Sequence, residues 1–304
     1  MTIVFMFLDG VGLGLDDIET NPFSRADMPY LQSLLKGGRL TASSAGFENE
    51  RASLLSIDPT LNVPGLPQSA TGQASLLTGR NIPAEIGYHY GPKPDKATAF
   101  HLRDGGIFGE LLRSGRSAAL INAYPSEYFH HIHSGRRIYS AIPLAVTNVG
   151  LKLFTTADLL AGNAVSADLT GKGWHEKLNV PSVPIFSPIA AGRNFIQVAQ
   201  KYDFAFFEYW LTDHAGHRQN MENAVNLLEQ FDQVLSGIVE NMSPEDLILL
   251  TSDHGNLEDL STRHHTLNPV PLFLLGNRNL HSYFEGIGDL TGVAPAILNA
   301  INGQ

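Results

Sequence analysis

Residues 246–254 read DLILLTSDH: a short apolar run from Leu247 to Leu250 that stops abruptly at a carboxylate and an imidazole, Asp253 and His254. A run of this length flanked by polar residues reads as a fully buried strand. The same pattern, a buried strand followed by a small or acidic terminus, recurs along the chain. It is found at Thr2 to Leu8 ending on Asp9, at Ser117 to Ile121, at Phe204 to Trp210 running into Asp213, and at Val270 to Leu275. Between these runs lie amphipathic segments at Pro29 to Leu35, Ile107 to Arg113 and Met221 to Val239, the last with apolar residues at helical spacing over five turns. Parallel strands need crossover helices, so alternation of this kind predicts an α/β fold: a three-layer α/β/α sandwich on a mainly parallel, doubly wound sheet.

Composition narrows the function classes. The chain has 304 residues, 43% of them hydrophobic and 16% charged, which suits one large core. Twenty Lys and Arg against thirty Asp and Glu leave a formal charge of −10, which argues against binding nucleic acid through a broad basic face. There are no cysteines, so a metal would have to be held by histidine and carboxylate groups. The start, MTIVFMFLDG, has no basic leader, and no apolar run reaches the length of a membrane span. The expectation is a cytoplasmic protein of one domain over 1–304. The Gly-, Pro- and Ser-rich region 124–191 departs from the alternation and is expected to be a small lid or insertion.

In open α/β sheets, ligands bind beyond the carboxyl ends of the strands. Asp9, Asp213 and Asp253 all fall at such ends, and five of the twelve histidines lie between His214 and His265. Asp213 and His217 are four residues apart, which places them on one face of a helical turn. Nitrogen and oxygen donors without sulfur suit Zn²⁺, Mn²⁺, Fe²⁺ or Mg²⁺. For His89, His101, His175 and His281 an ordinary hydrogen-bonded role is the better reading. The segment 65–81, GLPQSATGQASLLTGRN, adds a hydroxyl at an apparent helix start, where backbone N–H groups favour anions; either Ser69 or Thr71 is placed to attack.

These motifs resemble the alkaline-phosphatase-like metalloenzymes, and within them the branch of cofactor-independent phosphoglycerate mutase and phosphopentomutase. LDGVGLG is similar to the branch's opening metal motif and GLPQSATGQASLLTGR to its nucleophile motif. TDHAGH, TSDHGNLED and HTLNPVP look like its three later metal motifs, in the same order. The resemblance implies two divalent metal ions, Zn²⁺ or Mn²⁺. One would be held by Asp213, His217 and His265, with His264 the alternate for the last. The other would be held by Asp9, Asp253, His254 and the nucleophile oxygen. The register Ser69, Gly72, Gly79 favours Ser69 over Thr71 as nucleophile. The branch usually carries His where this chain has Gln73. Its mutases also carry larger insertions than the stretch between Gly79 and Asp213 affords, which tilts the expectation from mutase toward hydrolase.

The implied chemistry is in-line phosphoryl transfer through a phosphoserine, acting on a small phosphorylated metabolite. A phosphohydrolase is the leading expectation and a phosphomutase the alternative; a catalytically inactive metal-dependent binding protein is the reading from another class. His89, Lys93, Arg136 and Arg137 are the candidate substrate contacts. His131 and His133 form an H-x-H pair without a companion carboxylate.

Overall fold

The computed structural model describes residues 1–303. Among the described residues nine strands form: β1 (Ile3–Leu8), β2 (Phe47–Glu48), β3 (Ala52–Ile57), β4 (Ala118–Leu120), β5 (Ala123–Tyr124), β6 (Phe154–Thr155), β7 (Phe204–Tyr209), β8 (Leu247–Thr251) and β9 (Val270–Gly276). Seven of them make the central sheet in the order β2-β3-β9-β8-β1-β7-β4, while β5 and β6 pair separately. β1 lies between β7 and β8, parallel to both, and β4 runs parallel to β7.

β1 is buried along its whole length because both faces of the sheet are covered. Its side chains alternate between two cores. Val4, Met6 and Leu8 join the helices Pro188–Ala199 and Met221–Val239 on one face. Ile3, Phe5 and Phe7 join the helices Ser69–Thr78, Ala141–Asn148 and Val293–Asn302 on the other. The architecture is thus the expected mixed α/β sandwich.

Two details depart from expectation. β9 is antiparallel to β8, with Leu249 opposite Leu274, rather than parallel to it. The chain leaves β8 at Thr251 and returns at Val270 through a connection without a crossover helix, so only the antiparallel direction is open to it. β3, whose apolar run is interrupted by Ser53 and Ser56, pairs antiparallel with β9 and extends the sheet on that side. Within 124–191, the chain forms helices at Ser126–His133, Ala141–Asn148, Thr156–Leu160 and Lys172–Glu176. Ala141, Ile142, Ala145 and Val146 are wholly buried against the sheet, so part of this region lies in the helical layer. No helix among the described residues is long and apolar enough to cross a membrane.

Candidate metal centre

The carboxyl ends of β1, β7 and β8 bring the expected side chains to one edge. Asp9 follows β1 directly, and Asp253 and His254 follow β8 after a single serine. The turn after β7 winds into the helix Leu211–Arg218, which stacks Asp213 over His217. His217 Nε2 lies 3.3 Å from Asp213 Oδ2, and His265 Nε2 lies 3.8 Å from Asp213 Oδ1. On the other side of Asp213, His254 Nε2 is 3.5 Å from Asp9 Oδ1 and 3.6 Å from Asp253 Oδ2.

Two sets of donor atoms converge tightly, Asp213 with His217 and His265, and Asp9 with Asp213 and His254, each within 4.8 Å. Asp213 thus faces both sets, whereas the resemblance assigns it to one. His264, the alternate to His265, belongs to neither set. Nor do His89, His101, His131, His133, His175 and His281.

The hydrogen bonds around the imidazoles fix how they can act. His217 Nδ1 lies 2.8 Å from the Arg263 carbonyl, His265 Nδ1 2.7 Å from the Pro67 carbonyl, and His254 Nδ1 3.4 Å from the Gly255 carbonyl. A carbonyl only accepts, so in each of these contacts Nδ1 is the donor and Nε2 is the ring nitrogen left facing the carboxylates. That arrangement is typical of histidines that bind metal through Nε2. Burial, reinforced by His265, pushes His254 well below the usual imidazole range, and burial lowers His265 as well. The rings of His254 and His265 stack 3.7 Å apart, an arrangement that suits two neutral imidazoles.

The carboxylates show the opposite strain. Burial, then Asp253 and Asp213, pushes Asp9 well above the ordinary carboxylate range, and burial with Asp213 pushes Asp253 up to about 8. Asp9 Oδ1 is buried without a hydrogen-bond partner. Buried carboxylates crowded against neutral lone pairs are short of positive charge, and divalent cations would supply it. The donor set therefore fits metal.

Ser69 opens the helix Ser69–Thr78 and is buried, its Oγ 3.1 Å from His254 Nε2. Thr71 is otherwise engaged: its hydroxyl donates within the turn, toward the Gln68 and Tyr90 carbonyls. Of the two hydroxyls, that of Ser69 is the one that lies beside the donor sets. Gly72 lets this helix approach the end of β8, because a Cβ there would lie 2.9 Å from both the Cβ and the carbonyl oxygen of Asp253. Gly10, with φ +68°, allows an equally close approach by Asp213. Gln73, where the branch usually has His, donates from Nε2 to Asp253 Oδ2 at 3.2 Å.

Two supporting residues went unmarked in the sequence although they lie inside TSDHGNLED. Asn256 Nδ2 donates to Asp213 Oδ1 at 2.7 Å. Glu258, buried, accepts from the backbone of Gly12 and Asn256 and from the side chains of Thr266 and Asn268. Their signal was available: a polar residue two to five positions beyond a strand-end ligand, with glycines at 12, 14 and 255 that leave room for it. Of the candidate substrate contacts, His89 turns its Nε2 to the Val63 carbonyl and Lys93 donates to the Ile138 carbonyl at 3.1 Å. Arg136 is exposed, and Arg137 stacks its guanidinium 4.8 Å above the Tyr128 ring.

Residues 187–303 match the model of the Metalloenzyme superfamily. A 2,3-bisphosphoglycerate-independent phosphoglycerate mutase from Thermococcus gammatolerans is 23% identical over 93% of this chain and 73% of its own length. One from Antithamnion sp. is 33% identical over 34% of this chain, a match that spans only 22% of that enzyme. The fold is shared with an alkaline phosphatase from the Antarctic bacterium TAB5, at TM-score 0.57 and 13% identity over 100% of this chain and 98% of that one. It is shared too with a phosphoglycerate mutase of Leishmania mexicana, at TM-score 0.50 and 12% identity over 99% and 95%. Residues 187–303 thus resemble the Metalloenzyme superfamily, the named sequence relatives are phosphoglycerate mutases, and the fold is one that an alkaline phosphatase and a phosphoglycerate mutase share.

Proposed function

We propose that the chain is a metal-dependent phosphohydrolase that acts on a small phosphorylated metabolite through a phosphoserine at Ser69. The observation that carries this reading is the placement of the Ser69 hydroxyl, 3.1 Å from His254 Nε2 and beside two converging sets of histidine and carboxylate donors. One Zn²⁺ or Mn²⁺ would be held by Asp213, His217 and His265, and a second by Asp9, Asp253, His254 and the Ser69 oxygen. Divalent ions bound there supply the charge that offsets a phosphate's own and that favours ionised oxygen at neutral pH.

The protein groups do the positioning. The start of the Ser69–Thr78 helix leaves the backbone N–H groups of Ser69 and Ala70 for a phosphate, since Gln68 offers no side-chain cap, while Thr71 N donates to the Tyr90 carbonyl. Ser69 Oγ forms a bond to phosphorus as the bond from phosphorus to the substrate oxygen breaks, and the serine proton balances the departing alcohol. Water then takes the phosphoryl group from Ser69 and regenerates the hydroxyl. The outer donor set is open to that water, with the His217 side chain 44% exposed.

A second reading, a phosphomutase, is favoured by the named sequence relatives; there a retained substrate hydroxyl replaces water in the second half. Phosphate release from an aryl phosphate and from sugar phosphates and phosphoglycerates, measured on metal-loaded protein, separates the two. Release that disappears in Ser69→Ala supports the hydrolase, isomerised substrate without release supports the mutase, and turnover unaffected by Ser69→Ala refutes the serine route.

A further inference from the structure

The helix Ser69–Thr78 meets the loop after β8 at two consecutive residues. Ser69 Oγ lies 3.1 Å from His254 Nε2, and Gln73 Nε2 donates to Asp253 Oδ2 at 3.2 Å. Ser69 and Gln73 are four residues apart in the helix, so one face of one turn presents both groups. Gly72 stands between them. A Cβ there would lie 2.9 Å from the Asp253 carbonyl oxygen, so the helix backbone and the loop approach with no room for a side chain.

Gln73 is only 3% exposed, and Asp253 is wholly buried. In the ionised form that binds a cation Asp253 only accepts, which fixes the amide with Nε2 toward the carboxylate and Oε1 away from it. Oε1 is buried with no hydrogen-bond partner. A partnerless buried carbonyl is unfavourable for folding, and an apolar side chain of the same length would avoid it. The amide thus weakens the fold, and its hydrogen bond goes to a candidate metal ligand. The other side-chain hydrogen bond to Asp253, from the Ser252 hydroxyl to Oδ1, is long at 3.5 Å. Across the centre a second amide plays the matching part: Asn256 Nδ2 donates to Asp213 Oδ1 at 2.7 Å.

We propose that Gln73 is a positioning residue for the cation site of Asp9, Asp253 and His254. Its amide N–H holds the Asp253 carboxylate beside His254 and ties the nucleophile's helix to that ligand. The proposal rests on the metal-dependent reading above. A neutral donor suits the place, because it orients a carboxylate oxygen without bringing a positive charge that would compete with the cation. Since Gln73 and Ser69 share one helical turn, the same bond sets where the Ser69 hydroxyl stands relative to Asp253.

The test is calorimetric titration of Mn²⁺ and of Zn²⁺ into the wild type, Gln73→Met and Gln73→His, with the Tm of each metal-free protein. Gln73→Met keeps the length and removes the donor. Affinity at one binding event should fall about 10- to 100-fold, as for groups that orient metal ligands, while any other event changes less than about threefold. The metal-free Tm should rise or stay within about 3 °C, because the partnerless carbonyl is gone. Gln73→His, which offers a ring N–H to Asp253, should return the affinity to within about threefold of wild type. Unchanged affinity in Gln73→Met overturns the proposal, as does a loss that Gln73→His does not restore. A metal-free Tm lower by more than about 3 °C in Gln73→Met also overturns it, since that marks a structural role alone. A wild type that binds neither metal overturns instead the reading on which the proposal rests. Should Gln73→Met not fold, Gln73→Leu takes its place in the same comparison.

Discussion

Glu258 offers the sharpest structural perturbation, because one buried carboxylate joins the three segments that carry ligands. It is 1% exposed and accepts from Gly12 N at 2.9 Å, from Asn256 N at 2.8 Å, from Asn268 Nδ2 at 3.0 Å and from the Thr266 hydroxyl. Gly12 lies three residues beyond Asp9, Asn256 two beyond His254, and Thr266 next to His265. Glu258→Ala would leave two buried backbone N–H groups without partners, each at a cost of about 1–3 kcal/mol, and would add a small cavity. The expected loss is about 3–5 kcal/mol of unfolding free energy in metal-free protein, read from urea titration. Affinity for Mn²⁺, measured by calorimetric titration on folded protein, should fall about 10- to 100-fold, because groups that orient metal ligands carry effects of that size. Glu258→Gln, which keeps the shape and one acceptor, should lose less of both. A destabilisation below about 1 kcal/mol with unchanged Mn²⁺ affinity would refute the claim that Glu258 organises the centre.

Four further outcomes follow from the geometry. Ser69→Ala should abolish turnover of an aryl phosphate while keeping metal affinity within about threefold, since it removes one donor and no charge; wild-type turnover would refute the nucleophile assignment. Asp253→Asn removes a carboxyl pushed up to about 8 by burial and Asp213. Its metal-free form should therefore gain on the order of 1 kcal/mol above pH 7 while its Tm no longer rises with Zn²⁺ or Mn²⁺; an undiminished rise would exclude Asp253 as a ligand. Gly72→Ala forces a Cβ against the Asp253 backbone and should cost about 1–3 kcal/mol, which thermal denaturation would detect. His281, buried and taking a hydrogen bond from Arg278 on Nδ1, is depressed to about 4 by burial and Arg278. The folded protein thus binds fewer protons than the unfolded chain between pH 4 and 6.5. The stability this confers is complete above 6.5 and is lost as pH falls, by roughly 2–3 kcal/mol across the window. His281→Gln should flatten that slope in urea titrations run from pH 7 to 4.5, and an unchanged slope would reassign it to other groups.

The placement of the candidate site was legible in the sequence because strand ends are marked twice, by the close of an apolar run and by the residue type that follows. Asp9, Asp213, Asp253 and His254 could be placed on one edge from that pattern alone, and the four-residue step from Asp213 to His217 became a helical turn. Strand direction was less visible. The run at 270–275 looks the same whether it runs parallel or antiparallel, and only the missing crossover helix between Thr251 and Val270 decides it. β3 was missed because Ser53 and Ser56 break its apolar run, and the helix Pro188–Ala199 because it starts inside a Pro-rich stretch. Glu208 was unmarked for a different reason: a single carboxylate within an aromatic strand gains meaning only in the fold, where it lines a cavity at the end of β7 with Tyr124 and Tyr128, more than seventy positions away in the chain.

The most direct test of phosphoryl transfer through Ser69 is to quench metal-loaded protein in acid during turnover of an aryl phosphate and to map phosphorylated peptides by mass spectrometry. Phosphoserine at Ser69 in the wild type, absent from Ser69→Ala, is the expected result. Steady turnover with no phosphorylated residue, or with the phosphoryl group on Thr71, would contradict it.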